Sequence, residues 1–354
     1  MNTSRLLKHW IFFLGIFCVF YGAFGQQQPK VVFSKKEQLA QQKYNEAVSM
    51  YEKGKTSEIH RILNEAISLH KNFKEAYFLL AKVQFENNQM DSVVKTLNSC
   101  AKFLRNKDSV YYLISLMYHQ LKQYDNALDF AEQAIMENNG DYKLYCLRGS
   151  IHTSSGNYAS AVRDFSKAIE LYEYASEIYA DRGLANYHSG DYVSAINDYS
   201  VAIKMDNLPA YYNNRAVVKT ALKNYKEALE DCTKALEYDA AFYDVYINKG
   251  IIFLSSGDYV DALKEFDTYI DNNSNDYKGY NYRGVALNYL GEYEKAVQDF
   301  DKSIELNPNN VESYLNRGNT KELLRDVEGA CFDWKRAALL GDKNAENYTE
   351  KYCK

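Results

Sequence analysis

The chain lacks the short motifs that mark the common classes of enzyme and metalloprotein. It has 6 histidines, and none is spaced with a cysteine or a carboxylate so that both would bind a metal from one helix face. It has no glycine-rich loop to hold a phosphate and no nucleophile elbow. We therefore predict that the chain is not an enzyme and uses no cofactor or metal. A catalytic site assembled from distant segments is the alternative that remains open.

An excess of basic charge is also missing. The 354 residues include 42 lysines and arginines against 47 aspartates and glutamates, which gives a net charge of -5. Proteins that bind nucleic acids carry a basic stripe or patch, and no such stripe occurs here. The sequence therefore argues against a nucleic acid as the partner.

No segment alternates apolar and polar residues in the way of a half-buried strand. Apolar residues instead recur three and four positions apart, as at Ala296, Val297, Phe300 and Ile304. This spacing is typical of an amphipathic helix. We expect an all-helical protein.

What the chain does contain is a tyrosine that recurs every 34 residues, within a phrase that reads YINKG at 246–250, YNYRG at 280–284 and YLNRG at 314–318. With one step of 33, the tyrosines are Tyr77, Tyr111, Tyr145, Tyr179, Tyr212, Tyr246, Tyr280 and Tyr314, and a weaker ninth copy starts near Tyr44. An alanine follows sixteen residues later, at Ala127, Ala161, Ala195, Ala228, Ala262, Ala296 and Ala330. A fixed period of this length indicates one small unit, copied and stacked.

Each unit reads as a helix, a turn and a second helix. Four of the turns are Gly156-Asn157, Gly190-Asp191, Gly257-Asp258 and Gly291-Glu292. The glycine suits a left-handed helix end, and the Asn or Asp of the first three is predicted to cap the next helix. Asn307-Pro308 ends one unit.

These features resemble the tetratricopeptide repeat, a helical hairpin of 34 residues. The likeness covers about residues 41 to 344 and is fullest at Tyr280, Gly284, Gly291, Tyr293, Ala296, Phe300 and Pro308. It implies an all-α, right-handed superhelical solenoid of about eight to nine hairpins over residues 41–341, with a C-terminal capping helix over 342–354. The closing segment also resembles the end of exported bacterial members of the family. The family binds many partners, so the resemblance names none.

A second regularity joins the two helices of each unit. Three residues after the tyrosine stands a base, and sixteen residues after the base stands an acid: Arg148 and Asp164, Arg182 and Asp198, Arg215 and Asp231, Lys249 and Glu265, Arg283 and Asp299, Arg317 and Asp333. The two preceding units lack both partners together. We predict an ion pair within each hairpin; coincidence after recent duplication is the alternative.

The first 25 residues differ from the rest. Arg5 and Lys8 precede an apolar run, and Ala23 and Gly25 are the small residues of a cleavage site before Gln26. Residues 1–25 resemble a signal peptide, with an uncleaved membrane anchor as the alternative. Residues 26–40 are predicted to be a flexible tether. We expect export to the periplasm or cell envelope, with secretion as an alternative and membrane contact only if the segment is retained.

Export also allows disulfides. Cys331 starts the last second helix of the repeats, and Cys353 ends the closing helix. If the two helices pack antiparallel, the cysteines could come within bridging range and hold the terminal helix. We therefore regard Cys331 and Cys353 as a candidate disulfide.

In the resembled family, the first helix of each unit lines a concave groove, and the residue two places after the tyrosine points into it. Carried to this chain, the groove residues are Asp181, Asn214, Asn248, Tyr282 and Asn316, with Asn213, Asn281, Asn319, Tyr112, Tyr187 and Tyr289 at neighbouring positions. Asparagine offers a donor and an acceptor together, which suits the main chain of an extended peptide. Asparagines merely tolerated at the surface are the alternative.

The function that we predict is an envelope scaffold that binds an extended segment of another protein. Two alternatives stay open, namely a protein that binds a glycan or another polar polymer, and an accessory subunit of an envelope enzyme complex.

Overall fold

The computed structural model describes residues 34–54 and 58–353, and this part of the chain forms nineteen helices and no strand. The helices are α1 (Lys35–Glu52), α2 (Ile59–Leu69), α3 (Lys74–Glu86), α4 (Met90–Ala101), α5 (Asp108–Gln120), α6 (Tyr124–Glu137), α7 (Tyr142–Ser154), α8 (Tyr158–Leu171), α9 (Ser176–Ser189), α10 (Tyr192–Met205), α11 (Pro209–Ala221), α12 (Tyr225–Tyr238), α13 (Asp244–Ser256), α14 (Tyr259–Asn272), α15 (Tyr277–Tyr289), α16 (Tyr293–Leu306), α17 (Val311–Leu323), α18 (Val327–Leu339) and α19 (Lys343–Tyr352). The predicted leader at 1–25 lies outside the described residues. No helix within them is both long enough and apolar enough to cross a membrane.

The helices form hairpins in two compact units, Met1–Leu104 and Arg105–Lys354. The first unit contains the hairpins α1/α2 and α3/α4, around a core that includes Ile62, Leu63 and Leu80. The second contains seven hairpins, from α5/α6 to α17/α18, followed by α19. The predicted all-α class of helical hairpins is confirmed, with nine hairpins in the described residues. The segment that we expected to be one solenoid, 41–341, divides between the two units.

The first helix begins earlier than the predicted tether allows. Helix α1 starts at Lys35, so residues 35–40 of the expected tether 26–40 belong to the first hairpin. The cause is a capping box: the Glu37 amide donates to Ser34 Oγ at 3.2 Å, and the Ser34 amide donates to Glu37 Oε2 at 2.7 Å. The reciprocal bonds satisfy two amides that a helix start otherwise leaves unpaired.

The turns within the hairpins use the left-handed conformation. Gly190 and Gly257 have φ angles of 87° and 91°, as their positions predict. Where the sequence has no glycine, Lys122, Lys223 and Arg325 adopt the same conformation, with φ angles of 59°, 62° and 67°. A side chain at positive φ is strained, so the fold imposes this turn even on residues that disfavour it.

Only one of the three predicted caps forms. Asp191 accepts a hydrogen bond from the Ser194 amide at 3.1 Å. Asp258 instead accepts from the Ser256 hydroxyl at 2.6 Å, and Asn157 Nδ2 donates to Ser155 Oγ at 3.2 Å. In both turns, the side chain bonds to the serine two residues before it. It therefore does not cap the following helix.

The glycine of the recurring phrase makes room for an aromatic ring. A Cβ atom on Gly149 would lie 2.9 Å from the Phe165 ring, and one on Gly284 would lie 2.7 Å from the Phe300 ring. Both rings belong to the second helix of the same hairpin and are almost fully buried. The alanines sixteen residues after the tyrosine are fully buried as well, which confirms that the helices cross closely there.

The last hairpin is joined to α19. Cys331 and Cys353 form a disulfide with a sequence separation of 22 residues. The indole of Trp334 packs against the rings of Tyr348 and Tyr352, with centroids 5.3 and 5.8 Å away. Asp342 caps α19 by accepting from the Ala345 amide at 2.7 Å. The final helix thus covers the apolar end of the second unit, in agreement with the predicted cap at 342–354.

Candidate functional site

The framework of the candidate groove is the series of predicted base and acid pairs. Arg148 Nε and Nη2 donate to the two carboxylate oxygens of Asp164 at 2.9 and 2.7 Å. The same geometry within one hairpin recurs for Arg182, Arg215, Arg283 and Arg317, and Lys249 Nζ lies 2.8 Å from Glu265 Oε1. The predicted pairing within the hairpin is confirmed. The hydrogen bonds to Asp164 raise the pKa of the Arg148 guanidinium.

Four of the arginines also reach the second helix of the preceding hairpin. Arg182 Nη1 donates to Ser166 Oγ at 3.1 Å, and Arg283 Nη1 donates to Asp267 Oδ1 at 2.8 Å. The corresponding partners of Arg215 and Arg317 are Ser200 and Asp301. Each guanidinium therefore links two hairpins, which its planar fork of five donors allows.

The aspartates of these pairs are buried, and both carboxylate oxygens of each accept hydrogen bonds. Asp198 and Asp333 are 4% and 0% exposed, and each accepts a further bond from the residue twelve positions before it. Asn186 Nδ2 donates to Asp198 at 2.9 Å, and Lys321 Nζ donates to Asp333 at 2.8 Å. A buried carboxylate that is paired and hydrogen-bonded on both oxygens holds the helices in place, so these acids serve structure rather than chemistry.

Four of the predicted groove asparagines bond to each other in pairs. Asn248 Nδ2 donates to Asn213 Oδ1 at 2.8 Å, and Asn316 Nδ2 donates to Asn281 Oδ1 at 3.2 Å. In both pairs, the residue after one repeat's tyrosine meets the residue two places after the next repeat's tyrosine. Asn213 and Asn281 are 7% and 4% exposed, whereas Asn248 and Asn316 are half-buried. Each pair thus has a buried and a more accessible member.

These contacts between side chains were not expected from the sequence, in which each position was considered as a separate contact to a ligand. The signal was present, since both pairs are 35 residues apart. Asn214 belongs to the same register, but Ala180 stands where its partner would be. Within the described residues, the Asn214 side chain makes no hydrogen bond, so its amide is open to a ligand.

The predicted groove tyrosines differ in exposure. Tyr282 is half-buried and stacks on Phe266, and Tyr187 packs against Tyr192, with centroids 5.9 and 5.7 Å apart. Tyr289 is 64% exposed and stacks flat on Tyr259, with centroids 4.7 Å apart. Of these three, Tyr289 offers the largest open ring surface.

The remaining predicted residues are engaged within the protein. Burial raises the pKa of Tyr112 to about 12, and burial together with the charge of Asp181 raises the pKa of the Cys146 thiol to about 12. Asn319 Oδ1 accepts a hydrogen bond from Trp334 Nε1 at 2.9 Å. Asn319 therefore satisfies the indole that replaces the usual phenylalanine, and its oxygen faces the hairpin rather than a ligand.

The candidate groove thus offers amides and aromatic rings. Each bonded asparagine pair keeps N–H groups and an oxygen lone pair for other partners. No group of three or more metal-ligating side chains occurs in residues 34–54 and 58–353. The arrangement can bind a polar chain by hydrogen bonds at alternate repeats.

Comparison with known proteins agrees with the fold. Family models described as tetratricopeptide repeat match residues 108–141, 146–212, 214–277, 277–310 and 300–332. A tetratricopeptide repeat protein from Parabacteroides merdae is similar over 70% of this chain and 99% of its own, at 19% identity and a TM-score of 0.60. The APC/C hetero-tetramer Cut9-Hcn1 is similar over 84% of this chain and 60% of that chain, at 13% identity and a TM-score of 0.56. A search of curated proteins found no match. At these identities the structures support the fold alone.

Proposed function

We propose that this chain, which belongs to the tetratricopeptide repeat family, is a non-catalytic scaffold that binds an extended segment of another protein in the groove formed by the first helices of its second unit. The observation that carries the proposal is the pair of amide contacts, Asn213 with Asn248 and Asn281 with Asn316. Main-chain amides of an extended segment are the natural partners for side-chain amides of this kind.

The pairing favours binding because it orders the groove before a ligand arrives. A free asparagine side chain loses rotamer freedom when it binds, at a cost of about 0.5–1.5 kcal/mol for each immobilised side chain. Asn248 and Asn316 are already held by their buried partners, so less of this cost falls on binding. Tyr282 lies on the first helix between them and adds an apolar contact.

The location of the protein is part of the proposal. Residues 1–25 have the composition of a signal peptide, which supports export to the cell envelope. Intact-mass measurement of the exported protein tests this directly. A mature chain that starts at Gln26 is expected, and a retained N-terminal segment would instead support a membrane anchor.

The groove is tested by crosslinking in whole cells, followed by mass spectrometry of captured proteins. The double variant Asn248→Ala with Asn316→Ala removes the accessible member of each pair and should lose the partner. Asn309→Ala, at an exposed position in the segment between α16 and α17, is the matched control and should retain it.

Equal capture by both variants would contradict a groove site. Specific enrichment of a polysaccharide instead of a protein would favour the glycan-binding alternative, for which the open ring of Tyr289 is the relevant surface.

A further inference from the structure

A cavity of about 530 Å³ opens in the second unit where the hairpin α7/α8 ends and the hairpin α9/α10 begins. Its lining comprises Ser166, Ile169, Glu170, Leu171, Tyr172, Glu173, Tyr174 and Arg182. None of the predicted groove residues is among them. The cavity is therefore a feature that the groove does not explain.

The cavity lies at the negative end of a helix dipole. Helix α8 ends at Leu171, and the Tyr172 amide donates to the Ala168 carbonyl at 2.9 Å. Within the described residues, the carbonyls of Ile169, Glu170 and Leu171 receive no hydrogen bond, and no basic residue stands in the last turn. A helix C-terminus without a cation favours the approach of positive charge.

Two tyrosine rings stand at the same place. Tyr172 is 41% exposed and stacks on Tyr142, with centroids 4.7 Å apart, which fixes its orientation. Tyr174 is 73% exposed and meets Tyr172 edge to face at 6.0 Å. Tyrosine faces attract cations through the ring quadrupole.

Among the four-residue junctions of the second unit, this one alone carries an aromatic pair. Three other junctions of the second unit also have four residues between their helices, and they carry Asn138 and Gly140, Asn273 and Asn275, or Asn307 and Asn309 at the positions of Tyr172 and Tyr174. The aromatic walls are therefore a local addition to the repeat, and the general packing of the hairpins does not require them.

The charges around the cavity also favour a cation. Glu170 is paired with Lys167 at 2.8 Å, and Glu173 forms no ion pair with any described residue. Arg182 lines the cavity, but all three of its guanidinium nitrogens already donate to Asp198 or Ser166. Its charge is balanced by the buried Asp198, so the unbalanced charge at the cavity is that of Glu173.

We propose that this cavity binds a basic side chain of a partner protein, with the cation between the tyrosine rings and the carboxylate of Glu173, facing the end of α8. Arginine fits better than lysine, because its planar guanidinium stacks on a ring while donating to a carboxylate. The proposal does not depend on what the groove binds.

The probe is the peptide acetyl-Gly-Gly-Arg-Gly-Gly-amide, with its citrulline counterpart as the uncharged control. Binding to the full chain is measured by NMR signals of the peptide at low salt. The arginine peptide should bind at least about threefold more tightly than the citrulline peptide. Equal affinities would overturn the proposal.

Four variants locate the site. Glu173→Gln and Tyr174→Ser should each weaken binding of the arginine peptide by about two- to fivefold. Tyr174→Phe keeps the ring and loses only the hydroxyl that hydrogen-bonds to Glu173, so it should weaken binding by less than about twofold. Glu305→Gln is the control, because Glu305, like Glu170, lies in the last turn of a second helix and pairs with a lysine three residues earlier, at 2.9 Å. Binding by Glu305→Gln should be unchanged.

Other outcomes would reject the site. If Glu170→Gln and Glu305→Gln weaken binding equally, the peptide is held by diffuse negative charge. If N-acetylglucosamine displaces the peptide as effectively as free arginine does, the rings serve a sugar. The groove variant Asn248→Ala with Asn316→Ala should leave peptide binding unchanged, which separates this test from that of the proposed function.

Discussion

Among the six hairpins that carry a base and acid pair, one breaks the rule that pairs a glycine with an aromatic ring, and it lacks both residues together. In the repeat that starts at Tyr212, Ala216 stands where the other repeats of the recurring phrase have glycine, and Cys232 stands where they have an aromatic residue. Both residues are fully buried. We therefore predict that the double change Ala216→Gly with Cys232→Phe is tolerated, although neither single change is.

The magnitudes follow from the other repeats. A Cβ on Gly149 or Gly284 would lie 2.9 or 2.7 Å from a ring atom, so a ring against the existing Ala216 forces a comparable overlap. Such overpacking destabilises by about 1–3 kcal/mol. Ala216→Gly alone loses a buried methyl group and helix propensity, together about 2 kcal/mol. The double variant removes the overlap and fills the space, so we expect it within about 1 kcal/mol of the parent, with a favourable coupling of about 3 kcal/mol.

Repeat proteins do not always unfold in one step, so urea melting should be combined with hydrogen exchange of the amides in α11 and α12. The protection of these amides against hydrogen exchange should fall in both single variants and return to the parent level in the double variant. The converse pair, Gly250→Ala with Phe266→Cys, should show coupling of the same sign. Additive effects in both cycles would refute the packing rule.

Three further predictions concern stability. Lys223→Gly should stabilise the chain by about 0.5–1 kcal/mol in urea melting, because Lys223 has a φ of 62°, and no gain would mean that its side chain contributes packing of its own. A double-mutant cycle of Arg283→Ala and Asp299→Ala should give a coupling of about 1–3 kcal/mol, and zero coupling would contradict the paired geometry. Burial lowers the pKa of His152, so the unfolded chain binds its proton first as the pH falls. The free energy of unfolding should therefore decline below about pH 6.5, and less steeply in His152→Gln.

Contacts within one hairpin were predictable from the sequence, because the base and acid recur at a fixed separation in six of the copies. Arg148 and Asp164 are sixteen residues apart, and their joint presence or absence across repeats identified them as partners. The same reasoning accounts for the buried alanines and for the glycine in the turn. A repeated unit carries this information, because the same two positions can be compared in every copy.

Two kinds of contact were not predictable in the same way. They are contacts between hairpins, and contacts within a hairpin that occur in a single repeat. The bond from Asn248 to Asn213 depends on two repeats that both happen to carry asparagine. Asn319 was placed in the groove because its position suited a ligand, but Trp334 needs its oxygen. In such cases a neighbouring side chain determines the role, and the position in the repeat does not reveal it.

The junction between the repeats of Tyr212 and Tyr246 shows how the groove and the framework depend on each other. Lys249 replaces arginine there and bonds to Glu265, but it makes no second bond to the preceding hairpin like that of Arg283. The amide contact from Asn248 to Asn213 crosses the same junction.

The other amide pair crosses a junction that an arginine also bridges, from Arg317 to Asp301. We therefore expect Asn248→Ala to increase hydrogen exchange in α12 and α13 more than Asn316→Ala does in α16 and α17. Each amide hydrogen bond contributes about 1 kcal/mol. This contribution is a larger share of the stiffness at the junction of Asn248, because no arginine bridge crosses that junction as well. Equal increases at the two junctions would show that the bridge from Arg317 to Asp301 adds no stiffness.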